Sequence, residues 1–207
     1  MTSAPPVPAG IVFDFDGTLT HPAALDFAAI RQAIKCPDGV DILTFLAGIA
    51  DSEERQRAEA ILLEFELEAA GRSRPNPGAE ELLYELRDRQ IPMAILTRNV
   101  RAAVDLAMHR FSGITLDDFA AVVTRECHYP PKPDPAGLLA AIKAFRLPKD
   151  TSMQLVWMVG DYVYDIKTGK RAGTTTILLC QHSLLPDYAD LADYRIRALD
   201  QVLPWIG

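Results

Sequence analysis

The chain has few of the residues that build disulfide frameworks or soft-metal sites. Its 207 residues include only three cysteines, Cys36, Cys127 and Cys180, and four histidines, His21, His109, His128 and His182. The cysteines are far apart, odd in number and in no C-x-x-C spacing, so they read as reduced thiols. The histidines show no ligand spacing, and no His/Cys set suggests zinc. Positive charge is scarce too: a net charge of −7 leaves no basic field for nucleic acid or an anionic membrane. No apolar run approaches the length of a membrane span. The first ten residues, rich in proline, have neither the basic start nor the apolar run of a signal peptide, and a soluble, cytoplasmic protein is expected. No G-x-G-x-x-G follows a strand, and Thr168-Gly169-Lys170-Arg171 lacks the spacing glycine and the closing Ser or Thr of a P-loop.

The chain does have apolar residues, 49% of the total, enough for one substantial core and a small accessory lobe. The apolar pattern is mainly an alternation. Ile11 to Phe15, Met93 to Leu96, Phe119 to Val123, Leu155 to Val159 and Thr175 to Leu179 are short apolar runs of strand type. Between them, Leu82/Leu83/Leu86, Val100 to Phe111, Leu138 to Phe145 and Asp165 to Ala172 recur at helical spacing. Such alternation predicts an α/β fold, a doubly wound and mainly parallel sheet whose ligands bind at the carboxyl ends of the strands. Residues 21–76 break the pattern and read as helical throughout. Phe27, Ile30 and Ile34 share one face, Ile42, Phe45, Leu46 and Ile49 mark a second helix, and Ser52 is placed to cap a third carrying Ile61, Leu62 and Phe65.

The candidate chemistry lies just past the strand ends. Asp14-Phe15-Asp16-Gly17-Thr18-Leu19 follows the first strand, and period-two alternation sends both carboxylates to one side. Like charges that close need a shared proton or a cation between them. Taken alone, D-x-D-G is equally an ordinary turn. Thr97 follows the second strand, with Arg98 and Asn99 opening the next helix, where a hydroxyl and free N–H groups suit an anion or simply cap the helix. Lys132 sits in Pro130-Pro131-Lys132-Pro133-Asp134-Pro135, a stiff loop in which Asp134 is placed as N-cap and Pro135 as the first helical residue. Gly160-Asp161-Tyr162-Val163-Tyr164-Asp165 follows a fourth strand.

Together and in this order, these four stretches resemble the motifs of the haloacid dehalogenase (HAD) superfamily of hydrolases, most closely its phosphoglycolate-phosphatase-like members. The resemblance implies a HAD-like core over residues 1–20 and 77–207, with residues 21–76 as a small helical cap. It implies catalytic roles for Asp14, Asp16, Thr97 and Lys132, with Asp14 as nucleophile and Asp16 as acid and base. Substrate contacts fall to Gly17, Thr18, Thr97, Arg98, Asn99 and Lys132. Arg98 departs from the commoner small or amide residue at its position, and its side chain is open to either substrate or solvent. Metal ligands fall to Asp14, Asp16, Asp161 and Asp165, with Asp16 contributing its main-chain carbonyl. All-oxygen ligands favour Mg²⁺, and four formal carboxylate charges plus a phosphate monoester need more cation than Lys132 supplies.

The activity so implied is Mg²⁺-dependent hydrolysis of a small phosphorylated metabolite through an aspartyl-phosphate. A sugar phosphomutase would share these residues. A non-catalytic binding module would have no use for Asp16 and Lys132, a dehalogenase none for Asp16 and Mg²⁺, and a phosphorelay receiver none for the helical insertion. Arg31, Lys35, Arg55, Arg57, Arg72 and Arg74 are the insertion's candidates to meet an anionic substrate tail.

Overall fold

The computed structural model describes residues 4–22, 25–181 and 184–207, so His182 lies outside the described residues. Within them, six strands form one sheet in the order β3-β2-β1-β4-β5-β6, every neighbouring pair parallel. These are β1 (Gly10–Phe13), β2 (Met93–Leu96), β3 (Ala121–Val123), β4 (Val156–Gly160), β5 (Thr175–Leu179) and β6 (Tyr194–Ile196). The helices are α1 (Phe27–Ile34), α2 (Ile42–Gly48), α3 (Ser52–Arg72), α4 (Ala79–Asp88), α5 (Arg101–Met108), α6 (Ala136–Ala144) and α7 (Val163–Ala172).

Alternation along the buried strands supplies both faces of the sheet. Ile11, Phe13, Met93, Ile95, Trp157 and Val159 point to one side, where α4, α5 and the carboxyl-terminal segment bury them. Val12, Ala94, Leu96, Val156 and Met158 point to the other, against Leu138, Ala141 and Ile142 of α6 and Phe145 just after it. Each such buried aliphatic or aromatic side chain contributes about 1.5–3 kcal/mol, which explains why the central strands are continuously apolar. Chain order runs outward from β1 in both directions, so β1 and β4 flank the switch point where such sheets open a crevice.

Residues of α1, α2 and α3, with Cys36 from the connection between the first two, form a separate apolar cluster of Ile30, Ile34, Cys36, Ile42, Leu46, Ala58 and Leu62. The two chain connections to the sheet run side by side: a bridge pairs Thr20 with Pro75, and the His21 N–H donates to the Arg74 carbonyl. The far end of α3 does not stay with this cluster. Leu67 and Ala70 pack into the main core.

Several sequence expectations shift. β1 ends at Phe13, so Asp14 to Asp16 lie in the turn beyond it rather than on a strand. Phe27 is exposed, leaving Ile30 and Ile34 to hold α1. Asp51, not Ser52, caps α3, because its carboxylate can accept the Glu54 N–H at 2.7 Å. Pro135 is the N-cap of α6; Asp134 sits one residue earlier yet still accepts the Ala136 N–H. Helix α5 starts at Arg101, leaving Thr97 to Asn99 in a loop. Parallel strand β6 was hidden by its mixed Tyr-Arg-Ile composition at the sheet edge. Among the described residues, no helix is long and apolar enough to cross a membrane.

Candidate active site

The backbone carries the sheet's hydrogen bonding just past the strand ends, and this places the side chains. The Asp14 N–H donates to Val159 of β4 at 2.8 Å, and the Thr97 N–H to Val123 of β3 at 2.9 Å. Gly17 then turns the chain at φ +86°, and a Cβ there would strike the Asp161 carboxylate. Asn76 holds the turn from outside, its Nδ2 donating to the carbonyls of Gly17 (3.2 Å) and Thr18 (2.9 Å). Gln181 in turn donates to Asn76 Oδ1 at 2.6 Å. Neither amide carries a sequence signal of its own, since Asn76 lies between two prolines and Gln181 follows the last strand-type run.

Asp14, Asp161 and Asp165 converge, with one carboxylate oxygen of each within 4.8 Å of the others. Lys132 is buried among them, donating to Asp14 and, at 2.6 Å, to Asp165. Thr18 donates to the other Asp14 oxygen at 3.3 Å, so this hydroxyl supports a carboxylate. Asp165 is held further by the Tyr162 N–H at 3.0 Å, and the bond from Lys132 to Pro133 is cis.

The Asp16 carboxylate is not in this cluster, contrary to the expectation that alternation would seat it beside Asp14. It turns toward the β2 loop, accepting from Asn99 Nδ2 at 3.1 Å and the Thr97 hydroxyl at 3.4 Å. Asn99 and Thr97 are themselves linked, the Asn99 N–H donating to Thr97 Oγ1 at 3.0 Å.

Burial, modulated by neighbouring charges, explains the protonation behaviour. Burial raises the Asp14 carboxyl well above the usual range, the Asp165 and Asp161 charges add to this, and Lys132 opposes it. Burial, then the Asp165 charge, pushes Asp161 up to about 7. Burial alone would lower Lys132, but the Asp14 and Asp165 charges and hydrogen bonds reverse the sign. Asp16 is raised chiefly by burial, with its Asn99 bond opposing; crowding by neighbouring carboxylates is not the main cause. Three carboxylates and one ammonium leave two formal negative charges in excess, which suits a hard divalent cation with oxygen ligands.

A cavity of about 650 Å³ opens beside this cluster, between α2, α3 and the strand ends, with Thr97, Arg98, Arg125 and Lys132 among its lining. Leu43, Leu46 and Leu63 form its wall on the inserted helices. Two arginines of its lining are ion-paired to carboxylates of residues 21–76. Arg98 Nη2 donates to both oxygens of Asp41 at 2.6–2.7 Å, and Arg125 grips Glu66 at 2.7 and 2.9 Å. The basic residues proposed on the insertion do not line this cavity: Arg31 bonds the Pro37 and Val40 carbonyls, while Arg57 and Arg72 pair along α3 with Glu53 and Glu68. His21 is exposed, and its ring nitrogen bonds the Pro22 carbonyl.

A doubly wound parallel sheet carrying an acid cluster and a buried lysine at its switch point defines a class of α/β enzyme. The chain belongs to the haloacid dehalogenase-like hydrolases, whose family model matches residues 8–173. It is 34% identical to an uncharacterized hydrolase of Saccharomyces cerevisiae over 95% of this chain and 89% of that one. A phosphoglycolate phosphatase of Cereibacter sphaeroides is 30% identical over 79% of this chain and 81% of its own length. The solved structure of a hydrolase from Pseudomonas syringae shares the fold, with a TM-score of 0.77 at 20% identity over 94% of this chain and 96% of that one.

Proposed function

We propose that this hydrolase is an Mg²⁺-dependent phosphatase acting on a small-molecule phosphate monoester through an aspartyl-phosphate. The observation that carries the reading is the division of labour between two carboxylates one residue apart. Asp14 faces Lys132, Asp161 and Asp165, while Asp16 faces Thr97 and Asn99. One is placed among charges that organise a phosphoryl group, the other apart from them with a raised proton affinity.

In the first half-reaction an Asp14 oxygen attacks phosphorus in line. The bond from Asp14 to phosphorus forms, the bond to the leaving oxygen breaks, and Asp16 gives that oxygen its proton. In the second, Asp16 takes a proton from water as the water oxygen bonds to phosphorus, and Asp14 is released with inorganic phosphate. Thr97 and Lys132 donate to the phosphoryl oxygens as charge develops, and the loop N–H groups near Thr18 and Arg98 assist. Asp14, Asp161 and Asp165, with the Asp16 carbonyl, would hold Mg²⁺, which when bound offsets the excess carboxylate charge and the phosphate charge. Residues 21–76 act as the cap over the cleft. A cytoplasmic phosphorylated metabolite is the substrate this reading implies, and the named phosphoglycolate phosphatases make phosphoglycolate the first to try.

The test is Mg²⁺-dependent phosphate release from an aryl phosphate and from phosphoglycolate, with Asp14→Asn as control. Turnover lost with EDTA and with the substitution is expected. Activity persisting in Asp14→Asn would overturn the nucleophile assignment.

A further inference from the structure

Arg98 is the cleft cation whose hydrogen bonding is incomplete. Lys132 is engaged by two carboxylates, and Arg125 uses both terminal nitrogens on Glu66. Among the described residues, Arg98 engages Asp41 through Nη2 alone, while its Nε is buried with no hydrogen-bond partner. A buried N–H of a charged group left unpaired is unfavourable, so the side chain is set to donate to a further anionic oxygen. The guanidinium carbon lies 5.1 Å from the centre of the Tyr164 ring, and the Arg98 main-chain carbonyl accepts from Arg125 at 3.2 Å, which ties down the backbone that carries it. Arg98 lines the same cavity as Thr97 and Lys132.

Its present partner can release it. Asp41 caps α2, accepting both the N–H and the hydroxyl of Thr44 at 3.0 Å, and keeps these bonds without Arg98. On the phosphatase reading above, we infer that Arg98 determines substrate class. It recognises a second anionic group, a carboxylate or second phosphate, on the tail of the phosphate ester, with Asp41 occupying that place when substrate is absent. Substrates with an anionic tail are thereby selected over those with a neutral one.

The experiment compares three monoesters that differ in the tail: ethyl phosphate, phosphoglycolate and ethane-1,2-diol bisphosphate. kcat/KM is measured for the native chain, Arg98→Ala and Asp41→Asn, and calorimetric affinity is measured for each in an Asp14→Asn background that does not turn over. The native chain is expected to favour an anionic tail at least tenfold in both readouts, and the favoured tail identifies the group. Arg98→Ala should reduce that preference to within about twofold, and Asp41→Asn should raise it by removing the competitor. An equal loss on all three esters in Arg98→Ala, or a preference lowered by Asp41→Asn, overturns the proposal. Hydrolysis of ethyl phosphate without tail preference leaves the phosphatase reading standing and removes this one. Preferential binding with no hydrolysis does the reverse.

Discussion

Gly17 and Asp161 pack so closely that the carboxylate of one fills the space a Cβ on the other would need. The turn after β1 and the loop after β4 therefore meet through a contact that only glycine permits, at a φ of +86° that costs other residues roughly 1–2 kcal/mol. Gly17→Ala is expected to displace Asp161 and lower Mg²⁺ affinity by about 10–100-fold, with a matching fall in turnover. Calorimetric titration with Mg²⁺ checks it. An unchanged affinity would show that the contact does not position the carboxylate.

Lys132 is the buried counter-charge of Asp14 and Asp165. Lys132→Met strands both, a loss of about 3–5 kcal/mol expected in denaturant unfolding with a chelator present. Added Mg²⁺ should recover part of this, because a dication restores positive charge to the same carboxylates. Equal stability of the two proteins in chelator would argue that the pair is already solvated.

Glu66 on α3 is buried and bound at both oxygens by Arg125, joining the inserted helices to the turn after β3. Glu66→Ala leaves a half-buried guanidinium with only the Arg98 carbonyl, and a loss of about 2–3 kcal/mol is expected, the low end because Arg125 retains some solvent. Limited proteolysis should then cut residues 21–76 sooner than the sheet. A native cleavage pattern and unfolding midpoint would show that the pair does not hold the insertion down.

Asp193 ties the β6 approach to β5, accepting the Thr176 N–H (2.9 Å) and hydroxyl (2.8 Å) and pairing with Lys170. Burial pushes its carboxyl up, but the bonds from Lys170 and Thr176 outweigh it, and the net shift is downward. A depressed folded value means stability present above the unfolded pKa of about 3.9 and lost as pH falls through the lower folded value. Asp193→Asn should lower the melting temperature by about 2–6 °C at pH 7, and the gap to the native chain should close only as pH falls below the depressed folded pKa. A gap of the same size at pH 7 and below that pKa would assign the effect to shape rather than charge.

The sequence made the sheet and the helical insertion legible, because each depends on local facts, while the grouping of Asp14, Lys132, Asp161 and Asp165 came from the motifs' resemblance to a known family. Strand-type apolar runs mark the sheet, strand-end polar residues mark the rim, and helical spacing marks 21–76. What local facts could not settle is where a side chain turns once the strand has ended. Alternation predicts Asp16 beside Asp14, yet β1 stops at Phe13, and the Gly17 turn sends the Asp16 carboxylate to Asn99 and Thr97 instead. Asn76 and Gln181 act on the turn from across the fold, so no nearby pattern signals them.

By itself, then, the sequence determined the α/β class and the chemical inventory of the rim, since hydrophobic periodicity and turn residues act over a few positions. The tertiary structure decided the partners. Arg98 meets Asp41, and Arg125 meets Glu66, across 57 and 59 residues of chain. Such pairings arise only when the insertion folds back over the strand ends, and charge pairing at that distance leaves no periodic trace in the chain.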